Sequence, residues 1–417
     1  MAVTLKKKPV NGMKDILPEE MLIRDYVISL VKQTYGNFGF SSIETPCVEH
    51  IENLCSKNGG ENEKLIFKIL KRGEKLKIEA DSTENDLADS GLRYDLTLPL
   101  SRYYSNNANN LPTPFKALQM GNVFRADRPQ KGRFRQFMQC DIDILGDPTY
   151  LAETELILAT TTLLGKLNFE GFDVHINDRR ILKAMAEYAG FDADSYDTVF
   201  IILDKMDKIG PDGVKAELVE SGFSAECADK YLALFDKADG TIEGIKALSE
   251  VLKDVLPAEV TDNLCHICQL VESSKVAKFN LKFDPTLVRG MSYYTGTIFE
   301  ITMAEFGSSV AGGGRYDEMI GKFTGNPTPA VGFSIGFERI ITILMDNGFK
   351  VPGNTDNLAF LIEKGAKDEQ VSAVIAEATK LRESGKKVLV AMMNKNKKFQ
   401  KEQLMEAGFT EFKEVFK

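Results

Sequence analysis

Hydrophobic and polar positions follow two different periods along this chain, and the switches between them divide it into segments. Between Glu20 and Gly36 the apolar residues Leu22, Tyr26, Val27, Leu30, Val31 and Tyr35 recur at helical spacing. Residues 40–48 read as a short extended piece interrupted at Pro46. From 92 to 145 the pattern turns to strand alternation and hairpins, and residues 149–167 return to a helical period. Residues 178–278 are mostly helical in pattern, broken at Gly210-Pro-Asp-Gly213 and at Asp239-Gly240. Strand signals come back at 287–302 and 311–316, ahead of a helix at 335–345. A polar linker with Pro352, Gly353 and Asn354 precedes a last strand–helix–strand run at 358–362, 372–384 and 387–392. This order predicts an α+β fold with a mostly antiparallel sheet, a helical insertion near 190–270 and a small C-terminal α/β domain. After a helix at 395–407 the chain stops where a further strand and helix would be expected.

Length and composition add limits. At 417 residues, two or three domains are the expectation. The 43% hydrophobic and 27% charged content is ordinary for a globular protein, and no segment reaches the roughly 20 apolar residues of a membrane span. Six scattered cysteines suit free thiols in a reducing cytoplasm, and the N-terminus has no apolar stretch resembling a signal peptide. Cys265-His-Ile-Cys268 is a single CxxC with no second pair, too little for a zinc site, and His50, His175 and His266 show no metal or triad spacing. The net charge of −9 argues against general affinity for nucleic acid, yet residues 380–417 carry ten Lys or Arg against five Glu. A solvated helix face or a local grip on a polyanion would both produce that tail.

The segment 117–146 carries the most chemistry. Gln139, Asp141 and Asp143 alternate with Met138, Cys140, Ile142 and Ile144, so the polar set shares one face of a strand. In the loop before it, Arg125, Arg128, Arg133, Arg135 and Lys131 fall within eleven residues. Guanidinium forks match phosphate oxygens bidentately, which suits a triphosphate, although an ordinary charged hairpin loop would read similarly. Asp95 and Thr97 stand two apart on what reads as an extended segment, which would put both on one face. Gly312 to Gly314 permit close backbone approach to a ligand, but Asp317 follows where a dinucleotide motif needs its last glycine.

Phe124-Arg125 through Gln139 resembles motif 2 of class II aminoacyl-tRNA synthetases, in the form found in the histidyl-tRNA synthetases. Gly12-Met-Lys-Asp-Ile-Leu-Pro18, Arg93-Tyr-Asp-Leu-Thr97, Leu287-Val-Arg-Gly-Met-Ser-Tyr-Tyr-Thr-Gly296, Ala311-Gly-Gly-Gly-Arg-Tyr-Asp317 and Gly332-Phe-Ser-Ile-Gly-Phe-Glu-Arg339 are similar to that family in the same order. The resemblance spans residues 10–345. It implies a histidine–tRNA ligase that forms histidyl-adenylate from L-histidine and ATP, with Mg2+, and passes the histidyl group to tRNA(His). By the same resemblance Arg125 meets the ATP α-phosphate, Arg133 and Arg339 hold the β- and γ-phosphates, and Arg289 reaches the α-phosphate from the opposite side. Asp95, Thr97 and Gln139 would take the α-amino group, Asp143 the imidazole N–H, and Tyr294 and Tyr316 would line the ring pocket. The family is homodimeric, with residues 35–48 expected at the interface.

Two departures stand out. Ser292 occupies a position where the family often has Asp, and Asp95 and Asp143 stand where many bacterial members carry Glu, in forms that resemble the eukaryotic-type branch. The resemblance divides the chain into a catalytic domain over 1–345, a linker over 346–355 and a shortened anticodon-binding-like domain over 356–417. A non-catalytic relative, the regulatory subunit of ATP phosphoribosyltransferase, shares the fold and binds histidine. It departs at the phosphate-binding arginines, which this sequence keeps.

Overall fold

The computed structural model describes residues 5–55, 61–130, 132–288, 293–304, 307–353 and 357–417. Arg289 and Ser292 lie outside the described residues, as does Lys131. The chain forms two compact units, one of residues up to Lys14 with Ser29–Ile343, the other of Asp15–Ile28 with Leu344–Lys417.

The larger unit is built on an eight-stranded sheet. Its strands, in chain order, are β1 (Ser41–Ile43), β2 (Phe115–Phe124), β3 (Gln136–Leu145), β4 (Phe172–Asp178), β5 (Phe279–Phe283), β6 (Thr297–Met303), β7 (Ser308–Arg315) and β8 (Ala330–Ile335). Their spatial order is β1-β2-β3-β8-β7-β6-β4-β5. Only the outer pairs β1/β2 and β4/β5 are parallel; every pair between them is antiparallel. The alternation in β3 has its expected result, since Cys140, Ile142 and Ile144 are almost fully buried in the core. The helix Tyr150–Lys166 packs on β8 and is itself covered by the helix Ala258–Ser274. That sandwiched position explains why Leu156, Ile157, Leu163 and Leu164 have no exposure.

Residues between β4 and β5 are helical, as the sequence pattern predicts. The Gly-Pro-Asp-Gly break sits inside the span Met206–Glu220, where Gly210 takes φ 68° and interrupts the helix, and Pro211 opens the next helical stretch without needing an N–H partner. Cys265 and Cys268 are buried thiols on the helix Ala258–Ser274, and burial pushes the Cys268 thiol up to about 12.

Three sequence expectations need correction. Asp95 and Thr97 are not on one extended strand: Thr97 opens the helix Thr97–Asn107, and the Asp95 carboxylate takes the Leu98 N–H at 3.1 Å as that helix begins. Of the strand expected over 287–302, residues 289–292 lie outside the described residues, and the described part is strand from Thr297 onward. Just before it the backbone is committed elsewhere, with Gly296 C=O accepting from Arg179 N and Thr295 N donating to Arg315 C=O. Third, the chain does not stop at the helix near 395–407. In the smaller unit Asn357–Ile362 is the middle strand of a parallel three-stranded sheet, flanked by Val388–Met392 and by a third strand, Phe409–Val415. That strand contains an irregularity, because Phe409 opposes Asn357 whereas Glu411 opposes Leu358. The extra residue brings Phe409 and Phe412 to the same face although they are three apart, which hides the period of two. The core of this unit is Leu358, Phe360, Ile362, Val374, Ala378 and Val388.

Candidate active site

A cavity of about 530 Å³ opens over the strands β3, β7 and β8 of the larger unit. Strand register determines what lines it. Gln139, Asp141 and Asp143 of β3 point to its side of the sheet, and across β8 Asp141 faces Ser334 while Asp143 faces Gly332. A Cβ on Gly332 would run into the Asp143 carboxylate, and one on Gly313 would run into the Gly332 carbonyl. The absence of side chains at these two positions is what leaves the space.

Asp143 is 3% exposed and accepts a hydrogen bond of 2.5 Å from the Tyr316 hydroxyl. Burial pushes its carboxyl up to about 7, against the pull of Tyr316, and the charge of Asp95 adds to the rise. Asp141 and Asp95 are also raised, in each case mainly by removal from water. Three raised carboxylates face one cavity, and the charge of Arg125 offsets only part of the rise at Asp141 and Asp95. Tyr293 and Tyr294 stand beside them with ring centres 4.8 Å apart, and Tyr293 lies 6.0 Å from Tyr316.

The arginines gather where the β2–β3 hairpin loop meets the cavity. Arg125 donates from Nε to the Tyr94 carbonyl at 3.0 Å, and its guanidinium lies over the Tyr94 ring at 4.2 Å and the Phe137 ring at 5.2 Å. Stacking of this kind fixes the plane of the fork before any ligand arrives. Arg133 lines the cavity from the loop, and Arg339 lines it from the first turn of the helix Phe337–Asp346, donating to the Ser309 carbonyl. On that helix Glu338 accepts from Met138 N at 3.1 Å. Gln139 and Asp143 are four residues apart on a strand, or about 13 Å, so the carboxylates sit deep along β3 and the arginines toward its loop.

Supporting residues hold these segments in place. Arg93 is 4% exposed and donates to Thr45 C=O at 2.7 Å and Asn122 C=O at 2.8 Å, pinning the 93–97 segment to the hairpin. Gly12 C=O accepts from Arg135 N at 2.7 Å, which ties Gly12 to the arginine loop.

Of the residues singled out in the sequence, Asp95, Thr97, Arg125, Arg133, Gln139, Asp143, Tyr294, Tyr316 and Arg339 all line this one cavity. Arg289 lies outside the described residues. Sequence reasoning gave no role to Tyr293, Ser334 or Glu338. The first was available from its place beside Tyr294, but Ser334 becomes visible only through strand pairing and Glu338 only through the helix that meets β3. None of the three histidines lines the cavity: His175 bonds Asp284 at 3.0 Å, His266 stacks on Tyr150, and His50 is exposed.

The family profile described as "Histidyl-tRNA synthetase" matches residues 12–340, which includes every lining residue. The chain belongs to the histidyl-tRNA synthetase family. Among relatives of this family, the histidine–tRNA ligase of Leifsonia xyli is 39% identical, covering 97% of this chain and 94% of the relative. The probable histidine–tRNA ligase of Tropheryma whipplei strain Twist is 42% identical, covering 82% of each. The crystal structure of histidyl-tRNA synthetase from Nostoc sp. PCC 7120 superposes with a TM-score of 0.79 at 26% identity, covering 97% of this chain and 90% of that one. A Bacillus halodurans structure described as an ATP phosphoribosyltransferase regulatory subunit/histidyl-tRNA synthetase gives a TM-score of 0.78 over the full length of both chains. At 21% identity it establishes the fold alone. The architecture is that of the class II synthetases, with a helical insertion and a small C-terminal α/β unit.

Proposed function

We propose that this chain is a histidine–tRNA ligase. The observation that carries the reading is that one cavity, in a chain of this family, is lined both by Asp95, Asp141 and Asp143 and by Arg125, Arg133 and Arg339. The carboxylates suit an amino acid bearing an ammonium and an imidazole; the arginines suit a triphosphate. In the first step the histidine carboxylate oxygen attacks the α-phosphorus of ATP, pyrophosphate leaves, and histidyl-adenylate forms. In the second, a hydroxyl of the terminal adenosine of tRNA(His) attacks the activated carbonyl and AMP leaves.

Arg125 and, from the resemblance, Arg289 face the charge that grows on the α-phosphate, while Arg133 and Arg339 hold the outer phosphates. Asp95, Thr97 and Gln139 take the ammonium. Asp143 accepts from the imidazole, beside Tyr294 and Tyr316, and a side chain without that N–H would leave the carboxylate unpaired. Catalysis then consists of positioning and electrostatic stabilisation, with no covalent enzyme intermediate.

Mg2+ accompanies ATP in this reading. Glu338 and Asp127, at the cavity wall, would supply carboxylate oxygens to that ion, and the ion would neutralise phosphate charge. No helix among the described residues is long and apolar enough to cross a membrane. We assign the protein to the cytoplasm as a homodimer, with residues 1–345 catalytic and 356–417 an anticodon-binding-like domain.

The regulatory-subunit alternative has less support, because Arg125, Arg133 and Arg339 all reach the cavity. Histidine-dependent ATP–pyrophosphate exchange separates the two. A ligase exchanges label with histidine and with none of the other amino acids; histidine binding without exchange would overturn the proposal.

A further inference from the structure

The Gln139 side-chain amide has two ends in very different surroundings. Its Nε2 lies 3.3 and 3.5 Å from the two Asp141 carboxylate oxygens and 3.4 Å from Ser334 Oγ. Its Oε1 is buried with no hydrogen-bond partner among the described residues. Ser334 spends its one hydroxyl hydrogen on Asp141 Oδ1 at 2.5 Å, so toward Gln139 it offers a lone pair. With Asp141 ionised, both neighbours are acceptors. Turning the amide over would set Oε1 against three oxygens, so the donor end must face them. We propose that Asp141, seconded by Ser334, is a positioning residue that locks the Gln139 amide with Oε1 left as the acceptor for the substrate's ammonium.

This inference rests on the reading of the cavity as an amino-acid pocket and adds a source for its preference for an amine. An unpaired buried acceptor is costly, and a charged donor is the partner that relieves it best. The arrangement is built into the sheet: Gln139 and Asp141 are two apart on β3, and Ser334 is directly opposite Asp141 on β8. A cation arriving beside Asp141 also favours its ionised, acceptor-only form, so ligand binding and the locked amide reinforce each other.

Calorimetry on the full chain, with histidine, histidinol and the amine-free imidazole-4-propionate as ligands, tests this. Asp141→Ala should weaken histidine and histidinol by about tenfold or more, the scale of one lost charge-assisted hydrogen bond, and leave imidazole-4-propionate within about twofold. Asp141→Asn keeps the volume but supplies a donor that lets the amide turn, so it should not restore amine binding. Ser334→Ala keeps the Asp141 charge and should still lower amine affinity several-fold. Full recovery in Asp141→Asn would reduce Asp141 to packing, an unaffected Ser334→Ala would reduce it to bare charge, and equal losses for all three ligands would indicate general damage; each overturns the inference. Wild-type protein that binds none of the three ligands would overturn the pocket reading itself.

Discussion

Tyr316, one residue past the end of β7, donates its hydroxyl to Asp143 in the middle of the sheet at 2.5 Å, and both side chains are nearly sealed from solvent. The bond holds down a carboxyl that burial has pushed up to about 7. Removing it in Tyr316→Phe should send the Asp143 pKa further up. In the proposed function the ionised carboxylate is the form that accepts from imidazole, so histidine use should rise with pH through this titration. The acidic limb of kcat/KM for histidine in pyrophosphate exchange should therefore move to higher pH in the variant. Free histidine titrates its own imidazole in the same range, but identically for both enzymes, so the displacement between the two curves isolates the protein group.

The same raised pKa has a stability consequence. Asp143 ionises near 4 when unfolded and near 7 when folded, so the unliganded protein is penalised increasingly as pH rises from about 4 to about 7, and the penalty is constant above that. An Asn has no charge to bury and can still accept from Tyr316. Asp143→Asn should melt higher than wild type at pH 8 and at the same temperature at pH 4, while losing histidine affinity by a few kcal/mol at pH 8. A scan of Tm against pH with and without histidine checks both halves.

Gly332 has no room for a methyl group, because the Asp143 carboxylate occupies the place where a Cβ would stand. Gly332→Ala should displace Asp143 and raise KM for histidine by at least an order of magnitude, with a much smaller change in KM for ATP. Parallel loss of both, with a fallen Tm, would mean that the sheet had moved.

The stacked position of Arg125 over Tyr94 and Phe137 depends on a planar group. Arg125→Lys keeps the charge and loses the stack and the fork, and should lower kcat for exchange by about 100-fold, the usual scale for one group serving developing charge. Arg289→Ala should likewise depress exchange more than histidine affinity, read from kcat against an independently measured Kd.

Four lysines of the basic tail divide into two pairs. Lys397 bonds Glu414 at 2.6 Å and Lys401 pairs with the same carboxylate, whereas Lys395 and Lys398 are exposed and Lys398 is 4.0 Å from Glu402. If the C-terminal unit touches tRNA backbone, Lys395→Gln with Lys398→Gln should flatten the log–log salt dependence of tRNA binding by about 1–2. Lys397→Gln with Lys401→Gln should change it less. Filter binding at several salt concentrations measures this, and exchange without tRNA should not change in either variant.

Much of this site could be read along the chain because the residues of β3 reach it by simple alternation: Gln139, Asp141 and Asp143 share a face and share the cavity. Reasoning failed where a local exception overrode a period. The irregular pairing of Phe409–Val415 concealed a strand, and the capping role of Asp95 turned an apparent strand into the start of a helix. The roles of Ser334 and Glu338 depend on which strand or helix comes to lie beside them, here β3 in both cases, and no pattern within their own segments encodes that.

The two glycines that open the cavity also set which inherited changes the protein can survive. At Gly313 and Gly332 no smaller residue exists, so every missense change adds atoms where a strand carbonyl or the Asp143 carboxylate already stands. Mutation at these positions is a one-way ratchet toward a filled cavity. Drift elsewhere on the sheet can be compensated by a neighbour shrinking, but here the neighbours are main chain and Asp143, which have nothing to give. A lineage that lost Gly332 would displace the Asp143 carboxylate, whereas one that lost Gly313 would force the backbones of β7 and β8 apart.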